Sequence, residues 1–399
     1  MIVGNVITRN NPEAVELARL KLPYLSFPQA IRQFAIQEKK AIVVSGTHGK
    51  TTTASLVAWI LEQAGMDPGF MIGGIPRNFE SNFKLGEGAY FVIEGDEYDS
   101  AFFDKGPKFL HYNPSLVILT SIEFDHADIY RNLDHVVDSF RKLIHLIPGD
   151  GYLIANGDDK IICRETKGAL CKLETYGFDK ANDWRLGDVG DSEDLTAFSV
   201  IRNGQEEDNK TFKTPLFGRH NVSNCLSAVA LAHALGVSKG ALSMALESFK
   251  GVKRRQEIIG KKRGITVMDD FAHHPTAVRE TVRAVKGKYP HRRLVVVFEP
   301  RSNSSRRNIF QAQYAESFDA GDLMMIREPA MVEKIPIHER FSARKLVSQL
   351  SEMGLEAYSF GETDELLEEL LSSVKKDDVV LIMSNGGFDN LHQRFLEAL

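Results

Sequence analysis

Short apolar, β-branched runs alternate with longer stretches in which apolar positions recur every three or four residues. The alternation runs from about residue 40 to the end of the chain. Residues 41–45, 90–94, 116–120, 152–155, 265–269, 294–298, 322–326 and 378–383 read as strands. Residues 51–63, 221–235 and 276–285 carry the period of amphipathic or buried helices. Strands alternating with helices predict an α/β fold of mostly parallel sheets flanked by helices. Residues 184–214 depart from this pattern. Segments 184–188 and 197–203 look like antiparallel strands, with a turn at Asn203-Gly204. Basic stretches at 251–255 and 260–264 are expected to separate two α/β units near residue 260, giving domains 41–260 and 261–399. The first 40 residues are too short for a domain of their own.

Composition narrows the classes. The chain has 399 residues, 43% hydrophobic and 26% charged, as in an ordinary globular protein with ample core material. The net charge of −5 argues against a general polyanion binder, so no nucleic-acid partner is expected. No apolar run approaches the ~20 residues of a membrane span, and no charged region followed by a long apolar stretch marks a secretory leader. Cys163, Cys171 and Cys225 form no CxxC pair and read as reduced thiols of a cytoplasmic protein.

The strongest local signal is Val43-Val-Ser-Gly-Thr-His-Gly-Lys-Thr-Thr-Thr53. A buried strand runs into glycines and a helix starts just beyond. That arrangement lets backbone N–H groups and the helix N-terminus close around phosphate. Gly46, Thr47, His48, Gly49, Lys50, Thr51 and Thr52 are therefore candidates for binding ATP. Lys50 is placed to reach the β/γ-phosphates, and the Thr51 hydroxyl to sit on Mg²⁺. Val44 stands where the general phosphate loop has its first glycine, so this is the shorter G-x-x-G-K-T form.

The short loop resembles that of the Mur ligases, the ATP-dependent amide ligases of peptidoglycan synthesis. So do Glu94-Gly-Asp-Glu-Tyr-Asp99, Ile122-Glu-Phe-Asp-His-Ala-Asp128, Phe217-Gly-Arg-His-Asn-Val-Ser-Asn224 and Met268-Asp-Asp-Phe-Ala-His-His-Pro275, in that order along the chain. The resemblance implies a P-loop ATPase domain followed by a Rossmann-like α/β domain that binds the acceptor. It also implies that residues 1–40 are the remnant of an N-terminal UDP-binding domain, most of which the chain is expected to lack. By the same resemblance Lys50, Glu94 and His126 carry catalysis, with Thr51, Glu94 and His126 on magnesium. His220, Asn221, Asn224 and Arg255 would lie along the nucleotide. A carboxylate at a strand end is as readily a helix cap or a solvated group. What favours a ligand role for Glu94 and His126 is that both follow strands next to the phosphate loop, the edge where open α/β sheets gather ligands. Asp96, Glu97, Asp99, Asp125 and Asp128 are not ranked by the sequence.

Glu299-Pro-Arg-Ser-Asn303, Met383-Ser-Asn-Gly-Gly-Phe388 and the opening Ile2-Val-Gly-Asn-Val-Ile-Thr-Arg-Asn-Asn-Pro12 are most similar to the murein-recycling branch. That branch implies the substrates UDP-N-acetylmuramate and the tripeptide L-Ala-γ-D-Glu-meso-diaminopimelate, joined through an acyl phosphate. Arg301, Ser302, Asn303 and Asn385 are the acceptor-binding candidates, because a guanidinium grips a carboxylate through two hydrogen bonds. A sister ligase adding L-alanine, a folylpolyglutamate-type ligase and an inactive nucleotide-binding remnant remain alternatives.

Overall fold

The structure is a computed structural model that describes residues 1–192 and 194–399. It divides into two compact units: residues 1–216 with 221–252, and residues 217–220 with 253–399.

The first unit is built on a ten-stranded sheet. In chain order its strands are β1 (Lys40–Ser45), β2 (Gly69–Met71), β3 (Phe83–Lys84), β4 (Tyr90–Gly95), β5 (Pro114–Leu119), β6 (Tyr152–Asn156), β7 (Lys172–Gly177), β8 (Trp184–Asp191), β9 (Thr196–Arg202) and β10 (Gln205–Thr214). Their order across the sheet is β10-β9-β8-β7-β6-β5-β1-β4-β2-β3. The pairs from β8 through β2 are parallel, while β8-β9, β9-β10 and β2-β3 are antiparallel. The expected departure at 184–214 is thus a three-stranded antiparallel extension of the sheet. Asn203 and Gly204 both take positive φ (48° and 81°), which matches the right-handed twist of the strands they join.

Central strands with helices on both faces must be apolar on both sides. Ala41 to Val44 of β1 are accordingly 0% exposed. One face packs under helix α1 (Lys50–Gln63), with Leu56, Val57, Ile60 and Leu61 in the core, and under α3 (Arg219–Ala234). The other packs under α2 (Leu133–Leu146), which buries Val136, Val137, Phe140, Leu143 and Ile144 on one helical stripe. Asn132 caps α2 by accepting the N–H of His135. Residues 1–40 hold a two-stranded parallel pair (Ile2–Val3 with Leu25–Ser26) and a helix (Pro12–Leu20) capped by Asn11.

The second unit has a six-stranded sheet, formed by β11 (Glu257–Lys262), β12 (Ile265–Asp270), β13 (Leu294–Phe298), β14 (Leu323–Arg327), β15 (Glu356–Phe360) and β16 (Val379–Met383). The order is β11-β12-β16-β13-β14-β15, all parallel except β11-β12. Residues 260–264, read from sequence as part of a basic separator, are instead the end of β11 and a tight hairpin turn. Arg263 and Gly264 take the positive φ that such a turn requires (51° and 82°). Helix α4 (Pro275–Lys288) follows β12, capped by the His274 side chain. Among the described residues no helix is long and apolar enough to cross a membrane.

Candidate functional site

β1 lies between β4 and β5 and runs parallel to both. Their carboxyl ends therefore deliver the phosphate loop, the Glu94 motif and the loop after Leu119 to the same edge of the sheet. In register, Val44 sits opposite Glu94 and Ser45 opposite Gly95. The Ser45 hydroxyl donates to the Gly95 carbonyl at 2.7 Å, which fixes the two loops against each other.

The loop begins at Gly46 and ends at Gly49, the N-cap of α1, whose φ of 81° is in the left-handed region. A side chain at Gly49 would place its Cβ 2.6 Å from Asn224 Oδ1, so the loop closes directly on the first turns of α3. Asn221 and Asn224, both buried, share a hydrogen bond from Asn224 Nδ2 to Asn221 Oδ1 at 3.3 Å. Two N–H groups expected to face phosphate are used internally instead. Thr47 N–H donates to the Ser121 carbonyl and His48 N–H to the Ser121 hydroxyl, both at 2.9 Å. The Thr47 hydroxyl accepts the N–H of Glu123 at 2.8 Å, and the His48 ring lies 3.5 Å from the Glu123 carboxylate. At the start of α1, Lys50 through Thr52, the first-turn N–H groups have no partner within their own helix.

Lys50 and His126 meet through one carboxylate. Glu97, 2% exposed, takes Lys50 Nζ at 2.9 Å on Oε2 and 3.2 Å on Oε1. His126 Nε2 lies 3.2 Å from the same Oε1. Burial would lower the Lys50 pKa, but the charges of Glu97 and Asp96 outweigh it and raise the value. The same balance acts on His126. Burial disfavours the charged ring, while the hydrogen bond to Glu97 and the charges of Asp125 and Glu97 push its pKa up overall. His126 is held at a positive φ of 54°, its N–H bonded to Asp125 Oδ1 at 2.7 Å and its ring centroid 4.0 Å from that of Tyr98, the planes inclined at 50°. Asp96 turns the other way, onto Lys108 Nζ at 2.6 Å; burial raises its pKa but Lys108 and Lys50 lower it further.

Glu94 sits within β4 rather than beyond it. Its carboxylate accepts the Thr51 hydroxyl at 3.0 Å and the Gly73 N–H at 2.6 Å. The structure thus brings Lys50, Thr51, Glu94 and His126 to one edge and adds Glu97, which the sequence did not single out from its acidic neighbours. Thr51 and Glu94 share one contact and Lys50 and Glu97 another, all at this edge.

The remaining candidates belong to the second unit. His220 lies at the start of α3, its ring beside Gly218. The Arg255 guanidinium stacks 5.0 Å from the Phe271 ring and its charge acts on the buried Asp270. Arg301 follows β13 and pairs with Glu299, Nη1 to Oε1 at 3.1 Å. Ser302 and Asn303 turn into their own loop: the Ser302 hydroxyl bonds to Ser305, and Asn303 Oδ1 accepts from Arg306 at 2.7 Å. Asn385, after β16, has a buried Oδ1 with no hydrogen-bond partner among the described residues. An unsatisfied buried acceptor is costly.

Comparison with known proteins bears on the whole chain. The Mur ligase middle domain matches residues 44–232, and the Mur ligase glutamate ligase domain matches residues 254–386. The UDP-N-acetylmuramate--L-alanyl-gamma-D-glutamyl-meso-2,6-diaminoheptandioate ligase of Escherichia coli is 38% identical, over 100% of this chain and 84% of that protein. A UDP-N-acetylmuramate--L-alanine ligase of Caldanaerobacter subterraneus is 32% identical, over 97% of this chain and 82% of that protein. The crystal structure of a murein peptide ligase from Psychrobacter arcticus superposes with a TM-score of 0.72 at 34% identity, covering 100% of this chain and 85% of that one.

Proposed function

The chain belongs to the Mur ligase family of ATP-dependent, amide-forming ligases, and from that premise we propose that it joins L-Ala-γ-D-Glu-meso-diaminopimelate to UDP-N-acetylmuramate in cytoplasmic peptidoglycan recycling. The observation that carries the ATP half is the Lys50–Glu97–His126 cluster beside the Thr51–Glu94 pair. The tripeptide half rests on likeness to the Escherichia coli relative, which is 38% identical. The alanine ligase at 32% identity supplies the second reading, L-alanine as acceptor.

A carboxylate and an amine do not condense in water unaided. In the proposed reaction a lactyl carboxylate oxygen attacks the γ-phosphorus of ATP, the bond to the β-phosphate oxygen breaks, ADP leaves with the bonding pair, and an acyl phosphate results. The acceptor amine then attacks the acyl carbon, phosphate leaves with the bonding pair, and the amine sheds a proton. Such chemistry needs positioning and charge neutralisation more than covalent help from the protein. Lys50 lies where it can neutralise phosphate charge, and Glu97 keeps its ammonium at the loop mouth. Thr51, Glu94, Glu97 and His126 would hold Mg²⁺, which supplies Lewis-acid stabilisation of the transferring phosphoryl group. We assign residues 41–260 to nucleotide binding, with Gly46 through Thr52, His220, Asn221, Asn224 and Arg255 along ATP. We assign residues 261–399 to the acceptor, with Arg301 gripping a carboxylate and Asn385 accepting an N–H. Ser302 and Asn303 would shape the loop beside them.

The test is ADP release with UDP-N-acetylmuramate and either the tripeptide or free L-alanine. The proposed reading expects kcat/KM to favour the tripeptide. A preference for L-alanine transfers the assignment to the second reading.

A further inference from the structure

In the second unit a closed ring of contacts runs through one buried carboxylate. Glu299 follows β13 directly, and its N–H donates to the Met383 carbonyl at 3.0 Å, continuing the ladder to β16. Pro300 comes next and fixes its own φ. The Glu299 side chain is therefore anchored at its root, and it is 2% exposed. Both of its oxygens are engaged. Oε2 accepts the Ser384 hydroxyl at 2.6 Å and Oε1 takes Arg301 Nη1 at 3.1 Å. The Ser384 oxygen in turn accepts the Gly386 N–H at 2.9 Å, so its own proton is directed to Glu299. Gly386 then packs on Arg301; a Cβ there would stand 2.9 Å from the Arg301 side chain. The Ser384 and Gly386 carbonyls are fixed from the other side by Arg254 Nη2, at 2.6 and 2.9 Å.

A carboxylate this buried is tolerated only when paired and hydrogen-bonded. The ring does that, and it also immobilises a guanidinium of which only one of five N–H groups is taken by Glu299. Arg301 is 28% exposed on its side chain, so the rest of its fork can meet a ligand. A long side chain fixed in advance loses less freedom on binding.

We propose that Glu299 is a positioning residue for the acceptor: it sets Arg301 and, through Ser384, the loop that carries Asn385, in the geometry that receives a substrate carboxylate. This rests on the reading of Arg301 as an acceptor contact. Glu299→Gln is the diagnostic change. Its amide oxygen can still accept from Ser384, but its NH₂ group then faces the Arg301 N–H, donor against donor.

The experiment is steady-state ligation by the full chain, with tripeptide and ATP varied separately, on Glu299→Gln, Ser384→Ala, Arg301→Ala and the double variant Glu299→Gln/Arg301→Ala. Thermal melting checks folding, and if Glu299→Gln fails to fold, Ser384→Ala decides. The expected result is a tripeptide KM raised about tenfold in Glu299→Gln, the size of one charge-assisted contact. Ser384→Ala should move it in the same direction by less, and the double variant should be no worse than Arg301→Ala alone. The ATP KM should stay within about twofold and kcat should be largely kept. If Arg301→Ala raises the tripeptide KM while Glu299→Gln and Ser384→Ala leave it unchanged, the positioning role is overturned and the acceptor reading stands. If Arg301→Ala leaves the tripeptide KM unchanged, the acceptor reading falls and this inference falls with it.

Discussion

Lys50 Nζ lies 2.9 Å from Glu97 Oε2, and that one buried ion pair joins the phosphate loop to the acidic motif at the end of β4. The Lys50 side chain also donates to the Gly46 carbonyl at 2.5 Å, at the start of its own loop. A lysine so held stands at the helix N-terminus, where phosphate would arrive. Its partner is shared with His126, so a change at any of the three alters the charge seen by the other two.

Lys50→Ala should reduce ATP-dependent turnover by ~100- to 1,000-fold, the usual loss for a preorganised charge on a developing anion. It leaves Glu97 buried beside His126 without its strongest cation, so melting should also move down by several degrees. Turnover within a few-fold of wild type in a folded Lys50→Ala protein would show that the loop does not serve phosphoryl transfer.

Glu94→Ala and His126→Ala should each raise the Mg²⁺ concentration needed for half-maximal activity. Direct titration with Mn²⁺ should show the same loss of affinity without turnover. If both side chains serve one set of metal-bound phosphates, the double variant should be less impaired than the product of the single effects. Small, multiplicative effects would mean that Glu94 only tethers Thr51 and Gly73, the contacts it makes in the structure.

The phosphate loop was legible in the sequence because its chemistry is local: two glycines, one lysine and one helix start lie within six residues. Glu97 was not. Residues 94–99 offer Glu94, Asp96, Glu97 and Asp99, and which one turns inward depends on where β4 ends and on Lys108 drawing Asp96 away. That the Thr47 and His48 N–H groups bond to Ser121 is equally invisible to local reading, because Ser121 lies more than 70 residues further along the chain. Residues 260–264 looked like a charged separator because lysines and arginines on an edge hairpin have the same composition as a solvated connection. The motif at 299–303 points to Arg301, but its contacts with Glu299 and Gly386 are a matter of strand order, β16 beside β13. No spacing rule reports that.

Trp184 Nε1 donates to Glu174 Oε2 at 2.6 Å, and Arg202 stacks 4.8 Å over the indole, which ties the antiparallel extension to β7. Burial raises the Glu174 pKa, but the hydrogen bond from Trp184 and its other partners outweigh this and bring it below the ordinary 4.5. A carboxylate with a depressed folded-state pKa stabilises above its unfolded pKa, and that stability is lost as pH falls through the folded value. Glu174→Gln should therefore cost about 1–2 kcal/mol at pH 7. The difference from wild type should shrink as pH drops below 4.5. Urea unfolding followed by Trp184 fluorescence, with Trp59→Phe in both proteins, reads this directly. A difference that does not change with pH would mean that the carboxylate charge contributes nothing.

Gly49 and Asn224 make a close contact where the phosphate loop meets α3. Two separate costs meet there: the left-handed backbone, φ 81°, and the 2.6 Å approach of any Cβ to Asn224 Oδ1. The first is worth ~1–2 kcal/mol for a residue other than glycine. The second is steric and belongs to the partner side chain. Gly49→Ala should therefore weaken ATP binding by more than the ~5- to 30-fold that the backbone cost alone predicts. Asn224→Ala by itself removes the bond to Asn221 and should have a smaller effect. In the double variant the steric cost disappears and the backbone cost stays, so ATP affinity should recover in part. Calorimetric titration of ATP into the four proteins measures this coupling. If the double variant binds no better than Gly49→Ala, Asn224 is not what the loop closes on, and the backbone conformation alone accounts for the glycine.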